Sequence, residues 1–373
     1  MRNRNILGIV FSNMHDDTVR SLTTHRSMAS IPVGGRYRLI DFALSNLVNA
    51  GIEDVGVITK SNYQSLMDHL GSGREWDLAR KRGGLSILPP FGSAGSGIYR
   101  GKVEALANIE TYIRFHDPEY LLLTDCDMLA NIDLGPFIDA HMERGVELSV
   151  LYARANLWPE HAQDTTVLEV NDRSMVTGVQ LHPHARGQQN IFMNVCLVSR
   201  RYLERRVFES FSRSCFNFDE AILQAGVEET AIYAHPYSGF FFRIGCMKSY
   251  YDANLSLLEP EVRHALFPMS QPIYTKVRDD PPTLYGLDAQ VSNSLIADGC
   301  RIEGIVENSI LFRGVQVAKG AKIRNSIVMQ NTCAGEYSSL DCVITDKDVI
   351  IQEGRVMRGF ETYPVFIEKG ATV

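Results

Sequence analysis

The sequence predicts an α/β chain in two parts, a doubly wound, mostly parallel sheet followed by a parallel β-helix. Three observations carry this. Up to about residue 265, short apolar runs alternate with helical patterns. A proline-rich passage then intervenes, with Pro268, Pro272, Pro281 and Pro282. Beyond it a tetrapeptide recurs: Asn293-Ser-Leu-Ile296, Asn308-Ser-Ile-Leu311, Asn325-Ser-Ile-Val328 and Asp341-Cys-Val-Ile344, at offsets of 15, 17 and 16 residues. A length of 373 residues suits two domains with a large core.

In the first part the candidate strands are Ile6–Phe11, Asp54–Thr59, Tyr120–Asp125 and Glu147–Ala153, each apolar and bounded by turn signals. Helical patterns at Leu39–Ala50, Tyr63–Gly71 and Lys102–Phe115 lie between them. Strands apolar throughout and separated by helices are buried on both faces, which is the pattern of a parallel sheet. Ligands in such sheets sit beyond the carboxyl ends of the strands, here the loops after Phe11 and after Leu123. Residues 1–265 form this domain, and residues 266–290, poor in helix signals, read as a linker. Residues 291–373 form the β-helix: about four units of some three hexapeptides each, with turn glycines such as Gly299, Gly304, Gly314 and Gly320. A sandwich of hairpins is the alternative, but hairpins give no reason for the repeated tetrapeptide.

Composition excludes several classes. The net charge of −7 argues against a general polyanion binder, which needs excess Lys and Arg. No apolar run approaches the length of a membrane span, and Ile6–Phe11, preceded by Met1-Arg-Asn-Arg-Asn5, is too short for a secretory apolar region. The seven cysteines are odd in number and form no C-x-x-C pair, which fits a reducing cytoplasm rather than a disulfide or zinc framework.

At Pro32-Val-Gly-Gly-Arg-Tyr-Arg-Leu-Ile-Asp-Phe-Ala-Leu-Ser-Asn46 the chain resembles the sugar-nucleotide pyrophosphorylases, specifically the glucose-1-phosphate adenylyltransferase family. Ala50-Gly-Ile52, Trp76-Asp-Leu78, Ile87-Leu-Pro-Pro90 and the segments Asn293–Gly299, Ile302–Gly314 and Asn325–Asn331 extend the likeness to nearly the whole chain. The resemblance implies a Rossmann-like nucleotidyltransferase domain joined to a left-handed parallel β-helix. It also implies the Mg²⁺-dependent reaction of ATP with glucose 1-phosphate to ADP-glucose and pyrophosphate, in glycogen biosynthesis.

The departures from that pattern are concentrated where the chemistry lies. Phosphoryl-group transfer depends on positioning phosphates and neutralising developing charge. Family members carry a glycine-rich loop after the first strand, then an arginine and a lysine. Here Asn13, Met14 and Asp16 replace glycines, Thr18 stands at the arginine position and Met28 at the lysine position. Side chains block close approach of backbone to phosphate, and Asp16 and Asp17 place negative charge there. Arg20 is the available substitute. Of the metal-holding aspartates, the first survives as Asp127, with Asp125 beside it, while the second position is Arg243. His182 stands for the sugar-phosphate lysine and Phe192 for the glucose-contacting serine. An uncharged histidine is a poor phosphate clamp at neutral pH.

The resemblance and its departures thus imply a non-catalytic relative, similar to the GlgD-type subunit of that family, with a regulatory role, Asp127 an idle relic and no metal or cofactor of its own. Mg²⁺ and ATP are expected in a catalytic homologue that is its partner, and the chain is expected to form a hetero- or homo-oligomer. Arg26, Arg36 and Arg38 are candidates for a phosphorylated effector. Against that role, Arg26 reads as a solvated surface residue, and Arg36 and Arg38 as partners of Asp41 or Glu53. Lys102 is a possible anion holder, offset by Glu104. A weakly active adenylyltransferase acting alone and a ligand-sensing pseudoenzyme are the alternatives. A hexapeptide acyltransferase lacks its histidine base, since the last histidine, His264, precedes the repeats.

Overall fold

The computed structural model describes residues 5–90, 99–157, 165–183 and 187–373. The leader reading of Met1-Arg-Asn-Arg4 lies outside the described residues. The central sheet runs Val176–Leu181, Thr166–Val170, Gly187–Ser199, Tyr120–Asp125, Ile6–Phe11, Asp54–Ile58, Gly84–Leu88, with Leu148–Leu157 and Ile232–Tyr237 branching from Gly187–Ser199. Ile6–Phe11 pairs in parallel with both Asp54–Ile58 and Tyr120–Asp125, and its six residues are all buried. That central burial is why the run contains no polar residue. The strand order reverses at Ile6–Phe11, and Phe11 is the register partner of Asp125. This places the crevice for a ligand at the carboxyl ends of these strands.

Two element boundaries differ from expectation. The strand expected at Glu147–Ala153 runs from Leu148 to Leu157, because Gly187–Ser199 pairs with it to that end, across a register shift between Phe192 and Cys196. The helix expected over Lys102–Phe115 divides into Lys102–Asn108 and Glu110–His116. At the break the Asn108 side chain donates to the Glu104 carbonyl at 2.9 Å, a local bond that competes with the helical ladder.

The proline-rich passage is docked along much of its length. Asn131 donates to the carbonyls of Leu266 and Gln271, both at 2.8 Å, and the Tyr274 amide donates to Ser45 at 2.9 Å. Phe267 stacks on Tyr37 with ring centroids 4.9 Å apart. An extended segment without a ladder needs such partners for its buried polar groups. The first strand of the β-helix, Leu284–Tyr285, falls inside the segment read as linker.

The β-helix has three parallel sheets of five strands each, so it has five coils where about four were expected. The fifth lacks the tetrapeptide: its strands are Ile350–Ile351, Val356–Arg358 and Val365–Ile367, with Gly359 to Pro364 between the last two. The tetrapeptide has a physical basis. Asn293, Asn308 and Asn325 turn the corner at φ of +40°, +47° and +46°. Their side chains form a ladder, Asn293 to Asn308 at 2.8 Å, Asn308 to Asn325 at 3.4 Å and Asn325 to Asp341 at 3.0 Å. The following serines accept from the next coil's amides, Ser309 to Ser294 and Ser326 to Ser309, each at 3.1 Å. Asparagine tolerates the left-handed conformation and repeats the bond at every coil.

The domains share one apolar cluster in which Tyr250, Tyr251 and Leu257 meet Phe312, Ile327 and Ile344. Across this junction Arg26 donates to both oxygens of Asp346 at 2.6 and 2.9 Å. Arg26 is 2% exposed, so the reading of a solvated surface arginine is corrected; the β-helix covers it and supplies its counter-charge. Arg26→Ala leaves a buried aspartate unpaired and is expected to cost about 3–5 kcal/mol in urea unfolding. The double change Arg26→Met with Asp346→Leu is expected to recover most of that loss.

A candidate site closed by its own ion pairs

The loop after Ile6–Phe11 is held by side chains where a bare backbone was the alternative. Asn13 accepts from the Lys60 amide at 3.1 Å and donates to Ser61 at 2.9 Å and to Asp16 at 2.8 Å. The other oxygen of Asp16 accepts from the Met28 amide at 2.7 Å. Thr18 donates to the His15 carbonyl at 2.8 Å, and Met14 packs half-buried against the core. Asp16 therefore caps the loop internally, a correction to its reading as charge set against phosphate. Burial is the main influence on Asp16 and raises its pKa to about 6, opposed by the bonds from Asn13 and Met28. Arg20 is exposed and paired with the equally exposed Asp17 at 3.2 Å. Met28 and Phe192 are core residues, and His182 follows strand Val176–Leu181 in a left-handed conformation.

Beyond the end of Tyr120–Asp125, two buried carboxylates organise the site. Asp125 accepts from His15 Nε2 at 2.6 Å and from Lys102 Nζ at 2.7 Å through the same oxygen. Asp127 accepts from Arg243 Nε at 3.0 Å and from Asn194 at 3.0 Å, with His15 at 3.9 Å. Arg243 also donates to Thr165 at 2.7 Å. It is brought there by strand Phe241–Arg243, which pairs antiparallel with Met128–Ala130 and sets Arg243 opposite Met128, next to Asp127. Asp127, read as an idle relic, is a paired residue at the centre of a network. Lys102 pairs with Asp125; Glu104 is engaged by Arg100 at 3.0 Å and does not offset it. Sequence reasoning singled out Arg243, Asp127 and Lys102 and missed His15, whose only signal was a titratable side chain in a loop beside a strand end.

Burial pulls the pKa of His15 down, but Asp127 and Asp125 outweigh it and leave it raised. Burial likewise opposes the charges of Lys102 and Asp125, yet their mutual attraction raises the first and lowers the second. His15, Asp125 and Asp127 offer ligand atoms within 4.8 Å of one another, and one oxygen of each aspartate has no hydrogen-bond partner among the described residues. These residues nevertheless do not fit Mg²⁺. The charges of Asp125 and Asp127 are already matched by Lys102 and Arg243, so a divalent ion adds two uncompensated charges to a buried cluster. At about 4 Å and an effective dielectric near 20, each like-charge pair costs about 4 kcal/mol.

The three effector candidates separate. Arg36 is exposed, its guanidinium 5.7 Å from the Tyr37 ring centroid. Arg38 is buried and donates to Ser65 at 2.6 and 3.0 Å. The pairings expected for them are corrected: Asp41 accepts from the Arg38 backbone amide at the start of its helix and from His69 at 2.5 Å, while Glu53 pairs with Arg80. Buried Arg38 and Arg26, with Arg278, also bear on Lys347. Burial first, then these arginines, lower its pKa to about 7.

A Rossmann-like domain with its crevice at the strand reversal, followed by a hexapeptide β-helix, defines the architecture of a sugar nucleotidyltransferase. Family comparison agrees: residues 17–259 match the nucleotidyl transferase model and residues 284–361 the GlmU-like, C-terminal hexapeptide model. The chain is 34% identical over 370 residues to the glycogen biosynthesis protein GlgD of Bacillus subtilis (strain 168), covering 99% of this chain and 97% of that protein. It is 31% identical over 343 residues to glucose-1-phosphate adenylyltransferase of Bacillus mycoides (strain KBAB4), covering 91% and 90%. The chain belongs to the nucleotidyl transferase family, in the glucose-1-phosphate adenylyltransferase group that includes GlgD. Among the described residues no helix is long and apolar enough to cross a membrane.

Two predictions follow from the geometry. Mn²⁺ titrated with paramagnetic resonance detection is expected to bind Arg243→Asp at least about tenfold more tightly than the native chain, a gain of ~1.4 kcal/mol or more. The native pKa of Asp16 lies above its unfolded value, so the stability linked to it is present below the unfolded pKa and lost as pH rises to about 6. Relative to Asp16→Asn, the native chain is expected to lose roughly 2 kcal/mol between pH ~4 and pH ~6.5 in urea melts.

Proposed function

We propose that this chain is a non-catalytic, regulatory subunit that associates with a catalytic glucose-1-phosphate adenylyltransferase homologue and supports ADP-glucose formation for glycogen synthesis. The observation that carries the reading is the Arg243–Asp127 pair, a tethered cation where the reaction needs a mobile one. A guanidinium neutralises a carboxylate but cannot also bridge to phosphate oxygens as Mg²⁺ does. In this reading ATP and Mg²⁺ act in the partner, and this chain holds no cofactor. The names of its relatives, a glycogen biosynthesis protein and an adenylyltransferase, support the pathway.

Association is supported by the open end of the β-helix. The strands Leu284–Tyr285, Gln290–Ser292 and Leu295–Ile296 each form the outer edge of their sheet. Leu284, Tyr285 and Leu287 are exposed there. At the opposite end Thr372 bridges to Ile350. An exposed parallel edge with apolar side chains is a template for another chain. For a phosphorylated effector, Arg36 is the exposed candidate, while Arg26 and Arg38 act from beneath by holding the domain junction and the Lys347 environment.

The test is an assay of pyrophosphate release from ATP, Mg²⁺ and glucose 1-phosphate. The chain alone is expected to show background turnover, and mixing it with a catalytic homologue is expected to give co-elution and a changed velocity or substrate affinity. Turnover by the chain alone at the rate of an intact family member contradicts the reading.

A further inference from the structure

Strand Gly187–Ser199 shifts its register against Leu148–Leu157 between Phe192 and Cys196, and Asn194 lies within that irregular stretch. Its backbone is left-handed, with φ of +54°, and the residue is buried. On the strand's other side Val195 is the register partner of Thr124, so Asn194 stands just past the last pair with Tyr120–Asp125. A break of this kind re-aims a side chain, and here the Asn194 amide donates to Asp127 Oδ2 at 3.0 Å. Few residue types suit the position. A left-handed backbone favours glycine and, among the others, asparagine or aspartate. Glycine has no donor, and an aspartate sets a third carboxylate beside Asp125 and Asp127. Of the three, asparagine alone supplies an N–H.

The oxygen it holds is contested. Asp127 Oδ2 also accepts from Arg243 Nε at 3.0 Å, and His15 Nε2 lies 3.9 Å from it while bonded to Asp125 at 2.6 Å. A small rotation of the Asp127 carboxyl toward His15 exchanges one cation for the other. We propose that Asn194 is a positioning residue that locks this choice. It holds Asp127 Oδ2 on the Arg243 side and leaves His15, with the loop that carries it, to Asp125. The left-handed residue thereby keeps the two ion clusters separate and the crevice in its self-paired state. The lock rests on the Arg243–Asp127 pair and is independent of the regulatory role proposed above.

The test is NMR of the full, ligand-free chain, native and Asn194→Gly, following the Arg243 Nε–H and the His15 Nε2 resonance. Glycine suits the left-handed backbone, so the variant is expected to fold, with main-chain amide exchange in Tyr120–Asp125 unaltered. Hydrogen exchange at Arg243 Nε is expected to quicken at least about tenfold, the loss of one bond to a charged group. The His15 Nε2 resonance is expected to move as Asp127 becomes a second acceptor. A merely structural role for Asn194 quickens exchange along the whole strand instead. Unaltered Arg243 exchange, an unmoved His15 resonance, or a quickening shared equally by the strand amides overturns the proposal. In the native chain one Asn194 side-chain proton is expected to exchange at least about tenfold more slowly than in an unstructured peptide. An unprotected amide there overturns the proposal whether or not the variant folds. Turnover by the chain alone, which contradicts the regulatory role, leaves each of these ligand-free outcomes unchanged.

Discussion

The contact between Arg243 and Asp127 fixes the character of the whole crevice. Asp127 is 1% exposed at its side chain and Arg243 is 14% exposed, so neither charge is well solvated. Such a pair contributes little net stability relative to apolar residues of the same shape, but losing one member strands the other. Once an arginine stands there, Asp127 is committed to it, with Asn194 on the same carboxylate oxygen and Thr165 on the guanidinium. The neighbouring Asp125 is committed in the same way to Lys102 and His15. The result is a polar cluster that is close to neutral without any bound ion.

The loop after the first strand answers to the same constraint. A phosphate-binding loop needs bare amides pointing at the ligand. Here Asn13 and Asp16 turn their side chains onto each other and onto Lys60, Ser61 and Met28, and Thr18 bonds the His15 carbonyl, so side chains pin the loop to its surroundings. Loop and ion network thus share one character, polar side chains bonded to groups of the protein itself. The domain junction is closed in a similar way. Arg26 and Asp346 are buried together, and a shared apolar cluster runs beneath them.

The sheet and the β-helix were legible in the sequence because their periodicities are physical requirements. Ile6–Phe11 must be apolar on both faces, and each Asn-Ser corner must repeat to continue the ladder. The fifth coil was missed because its corner is built from Gly359 to Pro364 and carries no Asn-Ser signal. The identities of the site residues were legible, but their partners were not. Arg26 looked like a surface residue because its counter-charge lies 320 positions away. His15 went unnoticed because only the register of Phe11 with Asp125 brings that loop against the end of strand Tyr120–Asp125. Glu104 and Lys102 are two residues apart on one short helix, yet they face different partners. Burial and pairing of this kind depend on tertiary contacts that sequence spacing does not encode.

The most direct measurement is the anomalous diffraction of crystals of this chain soaked with ATP and Mn²⁺. The account predicts no manganese peak within coordination distance of Asp127, with Arg243 still bound to its carboxylate. A manganese ion on Asp127 bridging to nucleotide phosphates, with Arg243 displaced, contradicts it.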